Sequence, residues 1–166
     1  MILNRGDKVF YPFQGPCLIG PVVKKIIDGK PVRFYQLALL DDHGGEVLVP
    51  VNKAQAIGIR PMLNSSDIPK LLRLLKKPAG ETKDWRRRAS DNFLRLTSGS
   101  AFDLVEVVKS LTRVSEKKDL SFRESRTLEK AKKLLIDEIS EVTGETKGAA
   151  EKRIDKALKA QKSAIS

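Results

Sequence analysis

VPVNKAQAIGIRP, Val49 to Pro61, is the stretch across which the chain changes character. Before it, apolar residues alternate or run in short β-branched groups broken by turn residues; after it, they recur at helical spacing. Val51–Ala56 can make a helical turn within it, and Pro61 marks the change of pattern. A switch from period 2 to period 3.6 in so short a segment predicts an α+β, two-domain chain. A β domain occupies residues 1–60 and a helical domain residues 61–166.

Upstream, Arg5-Gly6-Asp7 is a turn signal, and Lys8–Tyr11 follows as a strand. Cys17–Val23 is apolar and partly β-branched, but its Pro21 argues for an edge or a bend rather than a regular central strand. Asp28-Gly29 between apolar flanks is a hairpin turn, and Val32–Leu40 is its return strand. Asp41-Asp42-His43-Gly44-Gly45 makes the next turn, and Glu46–Pro50 is a short last strand. Four to five short strands joined by tight turns predict a small Tudor/SH3-like β-barrel. So small a barrel leaves edges partly open, and an open edge can pair with a strand of another chain.

Downstream, five amphipathic segments predict a compact all-α domain. Ser65 or Ser66 caps a helix over Asp67–Lys77 whose face is Ile68, Leu71, Leu72 and Leu75, and Pro78-Ala79-Gly80 breaks it. Asp84–Ser98 is the next, with Trp85, Ala89, Phe93 and Leu96 at helical spacing and Gly99 as its stop. Ser100 with Asp103 and Ser121 with Glu124 read as capping boxes. They open helices with faces Leu104, Val105, Val108, Leu111 and Leu128, Ala131, Leu135, Ile139, Val142, the second ending near Gly144. A last helix covers about 147–162, with Ala150, Ile154, Ala157 and Leu158 on one face.

Charge suggests the partner. The 166 residues carry a net +11, unevenly placed. Residues 1–60 hold 8 basic and 5 acidic residues, whereas residues 70–95 alone hold 9 against 3. Such local excess favours polyanions. No apolar run is long enough to span a membrane, and the basic helices lack an exposed aromatic face, so nucleic acid fits better than a lipid surface. The opening residues do not form the apolar core of a signal peptide. Catalysis has little support. His43 is the only histidine and lies in a turn; Cys17 is the only cysteine and lies in a strand. One of each is neither a metal cluster nor a nucleophile–base pair, and there is no phosphate-cradling glycine loop. No catalytic residue, metal or cofactor is expected.

The basic excess centres on TKDWRRRASDNF, Thr82–Phe93, which holds the only tryptophan, Trp85, followed by Arg86, Arg87 and Arg88. The sequence leaves two readings of Trp85. Ala89 and Phe93 at one and two turns make it a core residue. Its place in a first helical turn among arginines makes it an exposed wedge, a flat apolar group suited to a minor groove or an opening base step. Lys130, Lys132 and Lys133 read as a solvated helix face; Arg123 and Arg126 open their helix at the end that attracts phosphate.

GDKVFYPFQG (Gly6–Gly15), VPVNKAQAIGIRP, DWRRR (Asp84–Arg88) and the run from Ser98-Gly99 to Ser121 resemble, in this order and spacing, the CarD/CdnL family of bacterial RNA polymerase-binding regulators. The resemblance spans nearly the whole chain. It implies a Tudor-like polymerase-interacting domain that docks on the polymerase β subunit by a strand edge, with Lys25, Val47 and Leu48 at the contact. It also implies a helical domain on promoter DNA at the upstream fork of the bubble, stabilising the open complex. There Trp85 would wedge into the minor groove, with Arg87 on the backbone; Arg86 and Arg88 beside it, and Arg123 and Arg126 at their helix start, are further candidate DNA contacts on their charge and position alone. Departures from the family pattern are Lys25 for a common Arg, Ala89 for a common Tyr, Arg123 for a common Gly and Ser125 for a common basic residue. The expected protein is a monomer, cytoplasmic and nucleoid-associated, and not an enzyme. The alternative is a basic protein–protein adapter with no direct DNA role.

Overall fold

Asp28 and Gly29 both adopt positive φ (50° and 76°), as a two-residue hairpin turn of the right twist requires, and Ile27 pairs with Lys30 across it. In this computed structural model, which describes residues 3–41, 43–79 and 84–165, that hairpin joins the two longest strands. They are β2 (Gly15–Ile27) and β3 (Lys30–Leu39). The remaining strands are β1 (Lys8–Tyr11), β4 (Glu46–Pro50) and β5 (Arg60–Pro61). All neighbours are antiparallel, in the order β4-β3-β2-β1-β5. The small Tudor-like unit is thus an open five-stranded sheet with β4 and β5 at its edges. Between β4 and β5, Val51–Lys53 forms a 3-10 turn and Ala54–Ile57 a one-turn helix α1, ended by Gly58 at φ 94°.

β1 and β4 have the expected bounds and β3 is close to its own, but β2 is longer than the expected Cys17–Val23. β2 is one continuous central strand, because its turn residues do not break it. Pro21 takes the bend, not the edge: pairing with β3 shifts register between Ile19 and Val22. A bulge there removes Pro21, which has no N–H, from the ladder. Gly20 beside it lets the strands approach, since a Cβ would meet the Gln36 carbonyl at 3.1 Å. Val9, Cys17, Ile19, Tyr35, Leu37 and Val49 face one core, joined by Ala54 and Ile59. Cys17 is fully buried there. Burial, then the charge of Asp41, pushes its thiol up to about 12, which fits a packed apolar residue rather than a nucleophile.

The helices are α2 (Asp67–Lys76), α3 (Trp85–Thr97), α4 (Ala101–Lys117), α5 (Phe122–Thr143) and α6 (Lys147–Ile165). Met1–Met62 and Leu63–Ser166 are separate compact units. In the second, α4 packs against α2, α3 and α5, and α6 against α2 and α5. Its core takes Ile68, Leu71, Leu75, Leu104, Val105, Val108, Leu111, Leu135, Ile139 and Ile154. Gly144 at φ 78° ends α5.

Two caps differ from expectation. Ser66 precedes α2 with no side-chain cap bond; Asp67 instead accepts from Asn64 N at 3.0 Å. Ser100 caps α4 as half a box only, because the Asp103 carboxylate accepts from Ser98 Oγ at 2.7 Å. Asp42 of the predicted turn, Gly80 of the predicted helix break, and Thr82 and Lys83 lie outside the described residues. His43 is exposed, its N–H donating to Asp41 Oδ1 at 3.1 Å, which makes it a turn residue.

Candidate functional site

Asp84 decides where α3 begins. Its Oδ1 accepts from the backbone N–H of Arg86 at 3.0 Å and of Arg87 at 3.1 Å, so Trp85 becomes the first helical residue. A side chain there has no preceding turn to pack on. Trp85 is 62% exposed, which decides between its two readings in favour of the surface. The Arg86 guanidinium carbon lies 5.3 Å from its ring centroid, and Arg86 and Arg87 are both exposed.

The buried stripe of α3 is Arg88, Asn92 and Leu96, not the predicted Trp85, Ala89, Phe93 and Leu96. The helix is turned by almost one residue, about 100°. Phe93 is left 55% exposed, and Leu94 is exposed beside it.

Arg88 differs from the exposed contact residue expected of it: it is 7% exposed. Its Nε and Nη2 donate to Glu124 Oε2 at 3.0 and 2.8 Å. A planar two-donor fork on one carboxylate is the use that suits arginine inside a protein. Glu124 also closes the capping box of α5, accepting from Ser121 N at 3.4 Å while Ser121 Oγ accepts from Glu124 N at 3.1 Å. Burial acts to raise the Glu124 carboxyl. The Arg88 hydrogen bonds and charge, together with Ser121, outweigh it, and the group ionises below its ordinary range.

That box alters the expected role of the α5 start. Its own serine and glutamate occupy N–H groups that were expected to draw phosphate, and Glu124 adds a negative charge. Arg123 and Arg126 remain exposed. Arg126 lies 5.5 Å over the ring of Phe122, which is 78% exposed. Phe122, Phe93 and Leu94 were not singled out as surface residues from sequence. For Phe122 the signal was present: it directly follows the capping serine, in the same first-turn position that frees Trp85.

Trp85, Ala89, Asn92, Phe93, Leu120 and Arg123 line a groove of about 410 Å³ between α3, the α4–α5 link and the start of α5. Trp85 and Arg123, far apart in sequence, meet there. Asn92 is buried in this lining, and its Oδ1 takes no hydrogen bond. An unmet buried acceptor costs about 1–3 kcal/mol.

In the first unit, Leu48 is exposed on edge strand β4, while Val47 turns to the other face and packs against the core. Val47 offers an incoming chain its backbone rather than its side chain. Lys25 is exposed on β2 opposite Val32, whereas Leu48 pairs with Gln36. Strand spacing and rise separate the two by roughly 15 Å, so they do not form one cluster. The outer half of the β2–β3 hairpin leaves Ile26 and Ile27 exposed on opposite faces.

Two family models match the chain: "CarD-like/TRCF RID domain" over residues 3–63 and "CarD, C-terminal domain" over residues 70–155. A protein of Bacillus subtilis (strain 168) named "Putative transcription factor YdeB" is 24% identical over 150 residues, covering 90% of this chain and 95% of that one. The solution NMR structure of the 72-residue N-terminal domain of Myxococcus xanthus CarD is 36% identical, covering 36% of this chain and 77% of that one, with a TM-score of 0.30. Among the described residues no helix is long and apolar enough to cross a membrane.

Proposed function

The chain belongs to the CarD/CdnL family of transcription factors, and on that premise we propose that it docks on the RNA polymerase β subunit and stabilises the open promoter complex. The first unit docks by the β4 edge, with backbone groups pairing to a strand of the polymerase. Leu48 on one face of that edge and Lys25 on the hairpin arm add side-chain contacts. The second unit lies on promoter DNA at the upstream edge of the bubble.

The observation that carries this reading is Trp85: a 62% exposed indole held at a capped helix start beside two exposed arginines. Arg86 and Arg87 hold phosphates while the indole enters the minor groove. Unstacking one base step costs a few kcal/mol, so the wedge acts where the duplex is already opening. Nothing in the surface requires a particular sequence, because shape and ease of opening select the site. Tethering to polymerase supplies effective concentration, so weak intrinsic DNA affinity suffices.

Lifetimes of open complexes on purified polymerase test this. The protein is expected to lengthen them, and Trp85→Ala to remove most of that effect while still binding polymerase. A variant that lengthens them as much as the parent removes the wedge from the mechanism.

The exposed Phe93, Leu94 and Phe122 favour a second reading, an adapter that docks on another protein through this face. Polymerase binding that is complete, with DNA binding insensitive to salt or absent, would support it.

A further inference from the structure

The outer half of the β2–β3 hairpin contributes nothing to the core of its unit. That core draws on Cys17, Ile19, Tyr35, Leu37 and Leu39 of the two strands, but on no residue from Val22 to Phe34. A two-stranded ribbon by itself is marginal in water. This one nevertheless exposes Val22, Ile26 and Ile27, with Ile26 at 70%. Residues 22–34 hold four bases, Lys24, Lys25, Lys30 and Arg33, and one acid, Asp28 in the turn. The register sorts them by face, because side chains of paired residues point the same way. Tyr35 enters the core, so its partner Val22, the Lys24–Arg33 pair and the Ile26–Pro31 pair lie on that side of the ribbon. Lys25, Ile27, Lys30 and Val32 lie on the other. Lys24 and Arg33 are both exposed and stand directly opposite each other, about 5 Å apart at Cβ. Among the described residues no carboxylate pairs with either. Like charges so placed destabilise the ribbon that carries them.

We propose that this face of the ribbon receives an acidic segment of the polymerase: a carboxylate seated between the Lys24 ammonium and the Arg33 guanidinium, with apolar neighbours against Ile26 and Val22. This rests on the reading that the first unit docks on polymerase, and deepens it by naming the charge that is recognised and a face of the arm opposite Lys25. The exposed isoleucine and valine flank the charged pair, and a phosphate backbone has no apolar surface to offer them. A second copy of the chain is a poor occupant, because each carries +11 and its residues 1–60 hold 8 basic against 5 acidic residues. The polymerase is favoured by the position of the pair. β4 covers β3 only from Phe34 to Ala38, so the edge of β3 runs on bare from Lys30 to Arg33. A strand laid along β4 therefore continues to Arg33.

The affinity of the full-length protein for purified core polymerase tests this. Arg33→Glu and Lys24→Glu each turn the like-charged pair into an opposite one, so the melting temperature is expected to hold or rise. Polymerase affinity is nevertheless expected to fall about tenfold for each. The opposite signs of the two effects exclude lost folding as the cause. Ile26→Ser is expected to weaken binding about fivefold. Arg5→Glu makes the same change of charge at an exposed site of the same unit outside the arm, and is expected to stay within about twofold of the parent.

Unchanged affinity of both charge reversals, beside a loss with Leu48→Glu, overturns the proposal and leaves docking by β4 in place. No binding of polymerase by the parent chain overturns both. A loss with Arg5→Glu as large as with Arg33→Glu overturns it too, since net charge and not the pair then sets the affinity. Reversals that weaken binding to duplex DNA and leave polymerase binding unchanged make the face a phosphate contact. A parent dimer in light scattering that Arg33→Glu dissolves makes it a seat for a second copy. Either result overturns the proposal.

Discussion

Arg88 and Trp85 lie three positions apart on α3 and have opposite fates. The arginine reaches inward to Glu124 at 2.8 Å, and the indole stays in water. Replacing Arg88 by Met leaves the half-buried Glu124 without its partner, and the expected loss is about 1–2 kcal/mol in denaturant or thermal unfolding. Trp85→Ala is expected to stay within about 0.5 kcal/mol of the parent, as an exposed side chain should. The two together separate structure from function among neighbouring residues. The pair also sets a pH dependence. Glu124 is depressed in the folded state, so its contribution is complete above the unfolded-chain value of about 4.3 and is lost as pH falls through the lower folded value. The stability gap between parent and Arg88→Met should therefore narrow in acid; a gap constant down to the acid transition would remove Glu124 as the partner that matters. Sequence could not rank Arg86, Arg87 and Arg88, because rotation about a helix axis depends on what the helix packs against.

At the scale of elements, turns and caps were the most legible. Asp28-Gly29, Ser121–Glu124, Gly99 and Gly144 mark ends at which local geometry dictates residue type. Gly29 at φ 76° has open space where a Cβ would stand, so Gly29→Ala carries only a backbone cost, about 1 kcal/mol, measurable as a lower melting temperature. The face of α3 was misread because Phe93 and Leu94 are apolar yet exposed, while Arg88 and Asn92 are polar yet buried. Period alone cannot find a buried polar stripe. Edge strand β4 carries its own test. Leu48→Glu changes an exposed side chain and leaves the ladder to β3 intact, so unfolding should be unaffected while affinity for the polymerase β subunit falls at least tenfold. Unchanged affinity in a binding titration would move the docking surface away from β4.

For the whole molecule, charge and tether act together. The +8 of residues 61–166, from 24 basic and 16 acidic residues, sits in the helical unit, and +3 in the other. DNA binding by the chain should therefore fall steeply between 50 and 200 mM salt, with the slope reduced by about one for each of Arg86→Ala and Arg87→Ala. Arg88→Met should leave the slope as it is, since its charge is spent on Glu124. Fluorescence anisotropy across a salt series checks both. The sequence by itself determined the order of elements, the change from a β unit to a helical unit at Val49–Pro61, the turns, and the basic surplus, because these are local properties of spacing, φ preference and charge. It also marked the Trp85 stretch as unusual. Only the tertiary structure decided that Trp85 is exposed, that Arg88 is an internal tie, that Val47 faces the core, and that Asn92, Phe93 and Arg123 share one groove. Each of those depends on how helices and strands rotate to bury the largest apolar area and to pair their buried charges, and that balance is struck between segments far apart in the chain.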